Sequence, residues 1–268
     1  MDGFLTPAMA GPHIPVAEWL TRQAELLRDA AEDPVVAEIL RFAGMARGTR
    51  LDLAEARQAI ARDHWYADWA DAMAHGQDKV DSGFEAAADA VHAGNLDALR
   101  RLLDREPGLI TMRSPFPHRQ TSLHHVADNG IEVERQLRSP GDAGEVLRLL
   151  AGRRARVDAL CDSYGGGSGT TTLCLLVSSA VPADAGVQAG LVERIGACGP
   201  RLTAELVVEY ALIWAAAHGR REVVEFLLTK DPDLRVAEPR FHATALGAAR
   251  YHGRDEMVAL LEPLTPSG

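Results

Sequence analysis

The chain has 268 residues, of which 47% are hydrophobic and 25% charged, so it is long enough to bury a sizeable core. The net charge of -10, with lysine only at Lys79 and Lys230, excludes the concentrated basic surface that nucleic-acid binding requires. No apolar run approaches the ~20 residues of a membrane span, and the three cysteines lack metal-ligand spacing, which fits a reducing compartment.

The N-terminal sequence MDGFLTPAMAGPH has neither the basic segment nor the apolar segment of a secretion signal. We therefore expect a cytoplasmic protein with no membrane partner. Arginine far outnumbers lysine, and alanine and glycine are abundant, which is typical of a GC-rich bacterial genome.

Residues 1–76 contain three stretches whose apolar residues recur at three- and four-residue spacing, the pattern of amphipathic helices. They are PVAEWLTRQAELLRDAAED, PVVAEILRFAGMAR and LDLAEARQAIARDHWYADWADAMAHG. The spacing predicts three helices, in which Trp65 and Trp69 are more typical of core packing than of binding. Gly76 to Gly83 is the predicted linker to a second domain at residues 84–264.

The second domain repeats a ten-residue frame, Thr-x-Leu-x-x-Ala-x-x-x-Gly in idealised form, followed by a helix with paired leucines. Its clearest copies are Thr121 to Gly130, Tyr210 to Gly219 and Thr244 to Gly253. Each copy predicts a short helix, a glycine turn and a second, antiparallel helix. Because such a pair is apolar on both faces, several pairs must stack to bury their surface.

Two further copies are less regular. Glu85 to Gly94 keeps the turn glycine but has lost the threonine and leucine, which suits a terminal repeat. Thr171 to Ala180 keeps both but has an enlarged turn, and the copy at Thr121 carries an insert around Arg138 to Ala143.

This frame resembles the ankyrin repeat, with its period of about 33 residues. The resemblance implies an all-α ankyrin-repeat solenoid of about five helix-turn-helix repeats, two of them with insertions, preceded by a helical cap at residues 1–76. In that family the turn glycine is left-handed, and the inner helices and the finger loops before them form a concave binding groove. The stretch LAEARQAIARDHWYADWADAMA is similar to a segment that caps bacterial arrays of this kind.

The resemblance places specific residues on the groove. The positions before each turn glycine are His92 and Ala93, Asp128 and Asn129, Ser178 and Ser179, Ala217 and His218, and Tyr251 and His252. The finger loops add His118, Arg119 and Gln120, then Asp162, Ser163 and Tyr164, and finally Arg240, Phe241 and His242. His124 occupies the structural histidine position of the family, and a structural role is also favoured for His218 and His252. The better functional candidates are His92, His118, His125 and His242.

The finger Asp162 to Thr172 (DSYGGGSGTTT) is rich in glycine but is neither a Walker A motif nor a dinucleotide fingerprint, because the lysine and the strand context are missing. It is either a long β-turn finger or a lid over a pocket, with Tyr164 at its base. The sequence has no HExxH, CxxC, calcium-loop or GxSxG motif, so we expect neither a metal nor another cofactor.

Two functions remain open. The first is a binding protein whose polar groove holds a protein partner or a small ligand, although such grooves usually offer more apolar anchors. Its ligand-binding candidates are His118, Arg119, Asp162, Ser178, Ser179, His218, Tyr251 and His252. The second is a cofactor-free acid–base enzyme, a lyase, dehydratase or isomerase acting on a small biosynthetic metabolite. There His92 or His125 would be the base, Asp128 or Tyr164 the acid, and Arg119 the clamp for an oxygen.

Overall fold

The computed structural model describes residues 12–33, 51–127, 132, 135, 139–162, 170–198, 207–238 and 242–266. Within these ranges the regular structure is almost entirely helical, and the strands are two or three residues long. The all-α prediction is confirmed at this level. None of the helices in these ranges has both the length and the apolar character needed to cross a membrane.

The α-helices are α1 (Val16–Ala30), α2 (Leu53–Asp63), α3 (Trp69–Ala74), α4 (Ser82–His92), α5 (Leu96–Arg105), α6 (Ala143–Gly152), α7 (Thr172–Ser178), α8 (Val181–Asp184), α9 (Gln188–Ala197), α10 (Val207–His218), α11 (Arg221–Leu228), α12 (Ala245–Tyr251) and α13 (Asp255–Leu261). Short 3₁₀ turns lie at Pro107–Ile110 and His124–Ala127. The strands are β1 (His13–Pro15), β2 (Lys79–Asp81), β3 (Leu160–Cys161) and β4 (Thr170–Thr171).

The chain divides into two compact units. The first comprises Met1–Ser122, Gly130–Leu137 and Cys161–Ser168. Helices α1 and α2 pack together in it, and its core is built on buried residues that include Trp19, Leu20, Ile60, Tyr66 and Phe116. Strand β1 pairs antiparallel with β2, His13 lying opposite Asp81, so residues 79–81 of the predicted linker belong to a strand.

The third predicted helix of the N-terminal region is two helices, α2 and α3. Helix α2 ends where Trp65 takes a left-handed conformation at φ 70°, and the Tyr66 N–H then bonds to the carbonyl of Ala61, five residues back. This hydrogen bond closes a Schellman-type turn. The apolar spacing continues across the break and so does not reveal it. The second predicted helix, at residues 34–47, lies outside the described residues.

The second unit comprises Leu123–Asn129, Arg138–Leu160 and Gly169–Gly268. Helix α10 is central in it, because it packs against α7, α11 and α12. Its buried residues include Leu176 on α7, Leu212 on α10, Val224 on α11, and Met257 and Leu261 on α13.

Within the described residues, three helix pairs that belong to the predicted frame have the same type of glycine turn. Gly94, Gly219 and Gly253 lie between paired helices with φ of 66°, 69° and 63°. In each case the N–H of the next residue bonds to a carbonyl five residues back, as Arg254 does to Ala249 at 2.9 Å. This closure requires the left-handed conformation that glycine adopts at least cost.

The threonine at the front of the frame is a helix N-cap. The hydroxyl of Thr171 accepts a hydrogen bond from the Cys174 N–H, and that of Thr244 accepts one from the Gly247 N–H. Such caps satisfy one of the free N–H groups of a first helical turn. At the copy that begins with Thr121, the described part of the expected helix is instead the 3₁₀ turn His124–Ala127, with the His124 ring hydrogen-bonded to the Ala159 carbonyl at 3.0 Å.

Candidate functional site

The second unit contains a cavity of about 660 Å³ formed by α10, α12 and the loop before α12. Ile213, Trp214 and Ala217 line it from α10, and Gly247, Ala248 and Tyr251 line it from α12. Both helices contribute positions i, i+1 and i+4, which share one helix face. Four of the lining residues are small and leave space between the two helices, namely Ala217, Ala243, Gly247 and Ala248.

The loop before α12 holds two ionisable side chains at the cavity, Glu238 and His242. The Glu238 N–H donates to the Ala243 carbonyl at 3.0 Å, and the His242 N–H donates to the Glu238 carbonyl at 2.8 Å. His242 also has a left-handed φ of 52°, which is uncommon for a residue with a side chain. These bonds fix the backbone from which Glu238 and His242 reach the cavity wall.

Aromatic rings lie at the cavity and beside it. Tyr251 is 87% exposed, and its ring meets the His252 ring edge-on at 5.1 Å between centroids. The Trp214 ring stacks on His218, with 6.1 Å between centroids and 20° between planes. Partial burial lowers the pKa of His218, and the positive charge of Arg220 adds to the effect. A neutral imidazole at pH 7 can both donate and accept a hydrogen bond.

Three of the predicted ligand-binding residues therefore belong to one region. Tyr251 and His252 line the cavity, and His218 stacks on Trp214, which lines it too. Trp214 and Glu238 were not among the predicted residues, because only the two residues before each turn glycine and the finger tips were assigned to the groove. The spacing of Trp214 and His218, one helical turn apart, is the signal that could have found the tryptophan.

Ser178 and Ser179, at the end of α7, are engaged locally. The Ser178 hydroxyl donates to the Leu175 carbonyl at 2.9 Å, and the buried Ser179 hydroxyl accepts from the Val181 N–H at 3.3 Å. Their ligand-binding role stays a prediction.

A second polar cluster is buried in the first unit. The His118 ring is fully buried, and its Nε2 lies 3.0 Å from Glu132 Oε1. The His118 Nδ1 accepts a hydrogen bond from the Gln120 N–H at 3.2 Å, so the proton of the neutral ring lies on Nε2 and points to Glu132. His64 Nε2 lies 2.7 Å from Gln23 Oε1, and burial lowers the pKa of His64 to about 3.

Arg135 joins three carboxylates in this cluster. Its guanidinium lies 2.6 Å from Glu85, 2.7 Å from Glu132 and 2.8 Å from Asp89. Burial raises the pKa of Glu85 to about 7, an effect that Arg135 opposes and that the charge of Glu132 reinforces. Sequence reasoning missed His64, Glu85, Glu132 and Arg135. Of these four, Glu85 gave a signal, since it is a charged residue between Phe84 and the alanines Ala86, Ala87 and Ala88.

Two other predicted residues lie beside His118. Arg119 and Asp162 are exposed, and the Asp162 N–H donates to the His118 carbonyl at 2.8 Å. Arg119 has a left-handed φ of 53°. The structure thus brings His118, Arg119 and Asp162 together, with the His118 ring turned into the interior.

The predicted catalytic residues are less completely described. His92 is buried in the first unit, and His125 is buried in the second. Asp128 and Tyr164 lie outside the described residues, as do the glycine-rich segment 163–169 and Arg240 and Phe241. Their catalytic roles therefore stay predictions.

No protein-family model matches the chain, and no curated protein sequence matches it.

Proposed function

We propose that this protein is an ankyrin-type binding protein that holds a partner protein at the cavity between α10 and α12. The observation that carries the proposal is an 87% exposed tyrosine, Tyr251, at the wall of a cavity of about 660 Å³. Exposed aromatic residues beside a concave surface are typical of binding hot spots. The volume lies within the range of sites that enclose a ligand or an inserted side chain.

The helix pairs with a shared glycine turn support the ankyrin resemblance. Three pairs of the predicted frame have the same left-handed glycine and the same closing hydrogen bond, and threonine N-caps stand at the front of two frames. In this proposal residues 1–76 are the cap and residues 84–264 the repeats, with α4 and α5 as the first repeat. The cavity then lies on the inner helices of the last two repeats, where the family binds its partners.

Charge favours a basic partner surface. The chain carries a net charge of -10, which attracts a positively charged partner and speeds the encounter. Glu238 supplies a carboxylate at the cavity itself. The apolar lining residues Ile213, Ala217 and Ala248 suit an apolar side chain that enters between the helices.

The proposal is tested by comparing proteins captured by the full-length chain and by three variants. Trp214→Ala and Tyr251→Ala remove cavity residues, whereas Leu160→Ala removes a large exposed apolar side chain elsewhere, since Leu160 is 46% exposed. We expect at least one captured protein to be depleted by both cavity variants and retained by Leu160→Ala. With that protein purified, each cavity variant should weaken binding by about 30-fold, the effect of losing about 2 kcal/mol at a hot spot.

A small ligand is the other outcome of the same experiment. If native mass spectrometry shows a small molecule on the wild-type chain that Trp214→Ala and Tyr251→Ala lose, the cavity binds a metabolite instead of a partner side chain. If proteins and small molecules are captured equally by all four chains, the cavity is not the binding site and the proposal fails.

A further inference from the structure

We propose that the buried side chains of His64, His118 and Glu132 form a binding site for a zinc ion inside the first unit. One ligand atom from each side chain lies within 4.8 Å of the other two. All three residues are at least 99% buried. They come from the end of α2, the loop after the 3₁₀ turn Pro107–Ile110, and residue 132, so a bound ion would join three separate segments of the unit.

The unpartnered nitrogen of His64 is the observation that points to a cation. Gln23 Oε1 can only accept, so the 2.7 Å contact places the ring proton on His64 Nε2 and leaves a lone pair on Nδ1. That Nδ1 is buried without a hydrogen-bond partner and faces Glu132 Oε1 at 3.8 Å. Two buried acceptors that face each other repel, and a cation between them turns this repulsion into coordination.

Two of the three ligand–ligand distances lie close to the spacing around a tetrahedral ion, and the third is within 4.8 Å. Zinc bonds of about 2.1 Å place neighbouring ligand atoms about 3.4 Å apart. The His118 Nε2–Glu132 Oε1 distance is 3.0 Å and the His64 Nδ1–Glu132 Oε1 distance is 3.8 Å, one on each side of that value. Two imidazole nitrogens and one carboxylate oxygen form a donor set that binds zinc in preference to magnesium or calcium.

Zinc binding would move one proton from one nitrogen of the His118 ring to the other. The ion takes the place of the proton that His118 Nε2 directs at Glu132, and this proton moves to Nδ1 of the same ring. Because Nδ1 accepts from the Gln120 N–H at 3.2 Å, that hydrogen bond is given up when the ion binds. The side-chain amide of Gln120 is also buried without a hydrogen-bond partner. Polar groups next to the proposed site are therefore unsatisfied in the absence of an ion.

The surrounding charges favour a dication. Glu85, Asp89 and Glu132 are paired with one guanidinium, that of Arg135. When all are ionised, three negative charges face one positive charge, and a dication balances the excess. Arg135 contacts the Oε2 atom of Glu132, whereas Oε1 is the atom that lies near both histidine rings. Gln23 would orient His64 through Nε2, as outer-shell partners of metal-bound histidines do.

The test measures zinc in full-length protein produced in zinc-supplemented medium, washed free of loose ions and then titrated with zinc chloride. We expect one zinc ion per wild-type chain by elemental mass spectrometry. His64→Phe and Glu132→Gln should contain none, and Gln23→Met should bind zinc about 10- to 100-fold more weakly. His75→Gln, which removes an exposed histidine of the same unit, should retain the ion.

A wild-type chain without stoichiometric zinc overturns the proposal, as does equal zinc in wild type and His64→Phe. Where circular dichroism shows that a variant has not folded, X-ray absorption of the zinc-loaded wild type decides instead. A spectrum that shows two imidazole nitrogens and oxygen ligands around zinc supports the site. A spectrum that shows a sulfur ligand, or only one imidazole, contradicts it.

Discussion

Among the charged residues described in the first unit, Arg135 should be the one whose substitution lowers the free energy of unfolding most. Its side chain is 2% exposed and contacts Glu85 and Glu132, which are equally buried, and Asp89. Arg135→Met keeps an apolar chain of similar length but leaves two carboxylates in the interior without their guanidinium. Removing one partner of a buried ion pair costs about 3–5 kcal/mol, because the remaining charge cannot be solvated.

The matched control is Arg100→Met in the same unit. Arg100 pairs with Asp97 at 3.0 Å on the surface, with both side chains more than half exposed, and such pairs contribute about 0–1 kcal/mol. Urea unfolding should be followed by tryptophan fluorescence in a Trp214→Phe background. Of the four tryptophans, Trp214 alone lies in the second unit, so the signal then reports the first unit. The reasoning would be refuted if Arg135→Met lowered the free energy of unfolding by no more than Arg100→Met does.

Three further predictions concern stability. The pKa of Glu85 is about 7 in the fold against an ordinary value of 4.5, so the folded state binds more protons between these values. Ionisation of Glu85 should therefore lower the stability of the first unit as pH rises from 5 to 8, whereas the lowered pKa of His64 acts in the opposite direction. The Glu85 contribution is the difference between the two chains: in urea titrations at several pH values, the wild type should lose stability relative to Glu85→Gln as pH rises. Gly219→Ala and Gly253→Ala should each lower the free energy of unfolding by about 1–2 kcal/mol, because alanine is strained at the left-handed φ of 69° and 63° found there. Gly190→Ala, inside α9 with open space around it, should instead gain stability by thermal melting; equal effects at all three glycines would contradict this. Thr244→Ala should lose about 1 kcal/mol in the same melting assay, since its hydroxyl caps α12, and an unchanged melting temperature would argue against that cap.

Local features of the fold were readable from the sequence because they are chemically constrained. A tight turn between two helices needs a left-handed residue, so the glycines at 94, 219 and 253 mark their turns. The threonine that opens the frame marks a helix start because its hydroxyl caps the first turn, as at Thr171 and Thr244. Such signals act over a few residues, so the local sequence is enough to show them.

Features set by tertiary contacts were not readable. His64, His118 and Glu132 lie far apart in sequence and match no ligand spacing, and only packing brings them together. The break at Trp65 was hidden because α2 and α3 continue one apolar pattern and the left-handed residue is not a glycine. The cavity depends on small residues across two helices and a loop, a property of their packing rather than of either helix alone.

The most direct measurement for the binding proposal is site-specific photocrosslinking in living cells. A photoreactive phenylalanine derivative replaces Tyr251 at the cavity, or Leu160 as the exposed control, and the crosslinked products are identified by mass spectrometry. The proposal predicts a discrete crosslinked partner at position 251 that is absent at position 160 and disappears when Trp214→Ala is added. Identical products at both positions, or none at position 251, would contradict it.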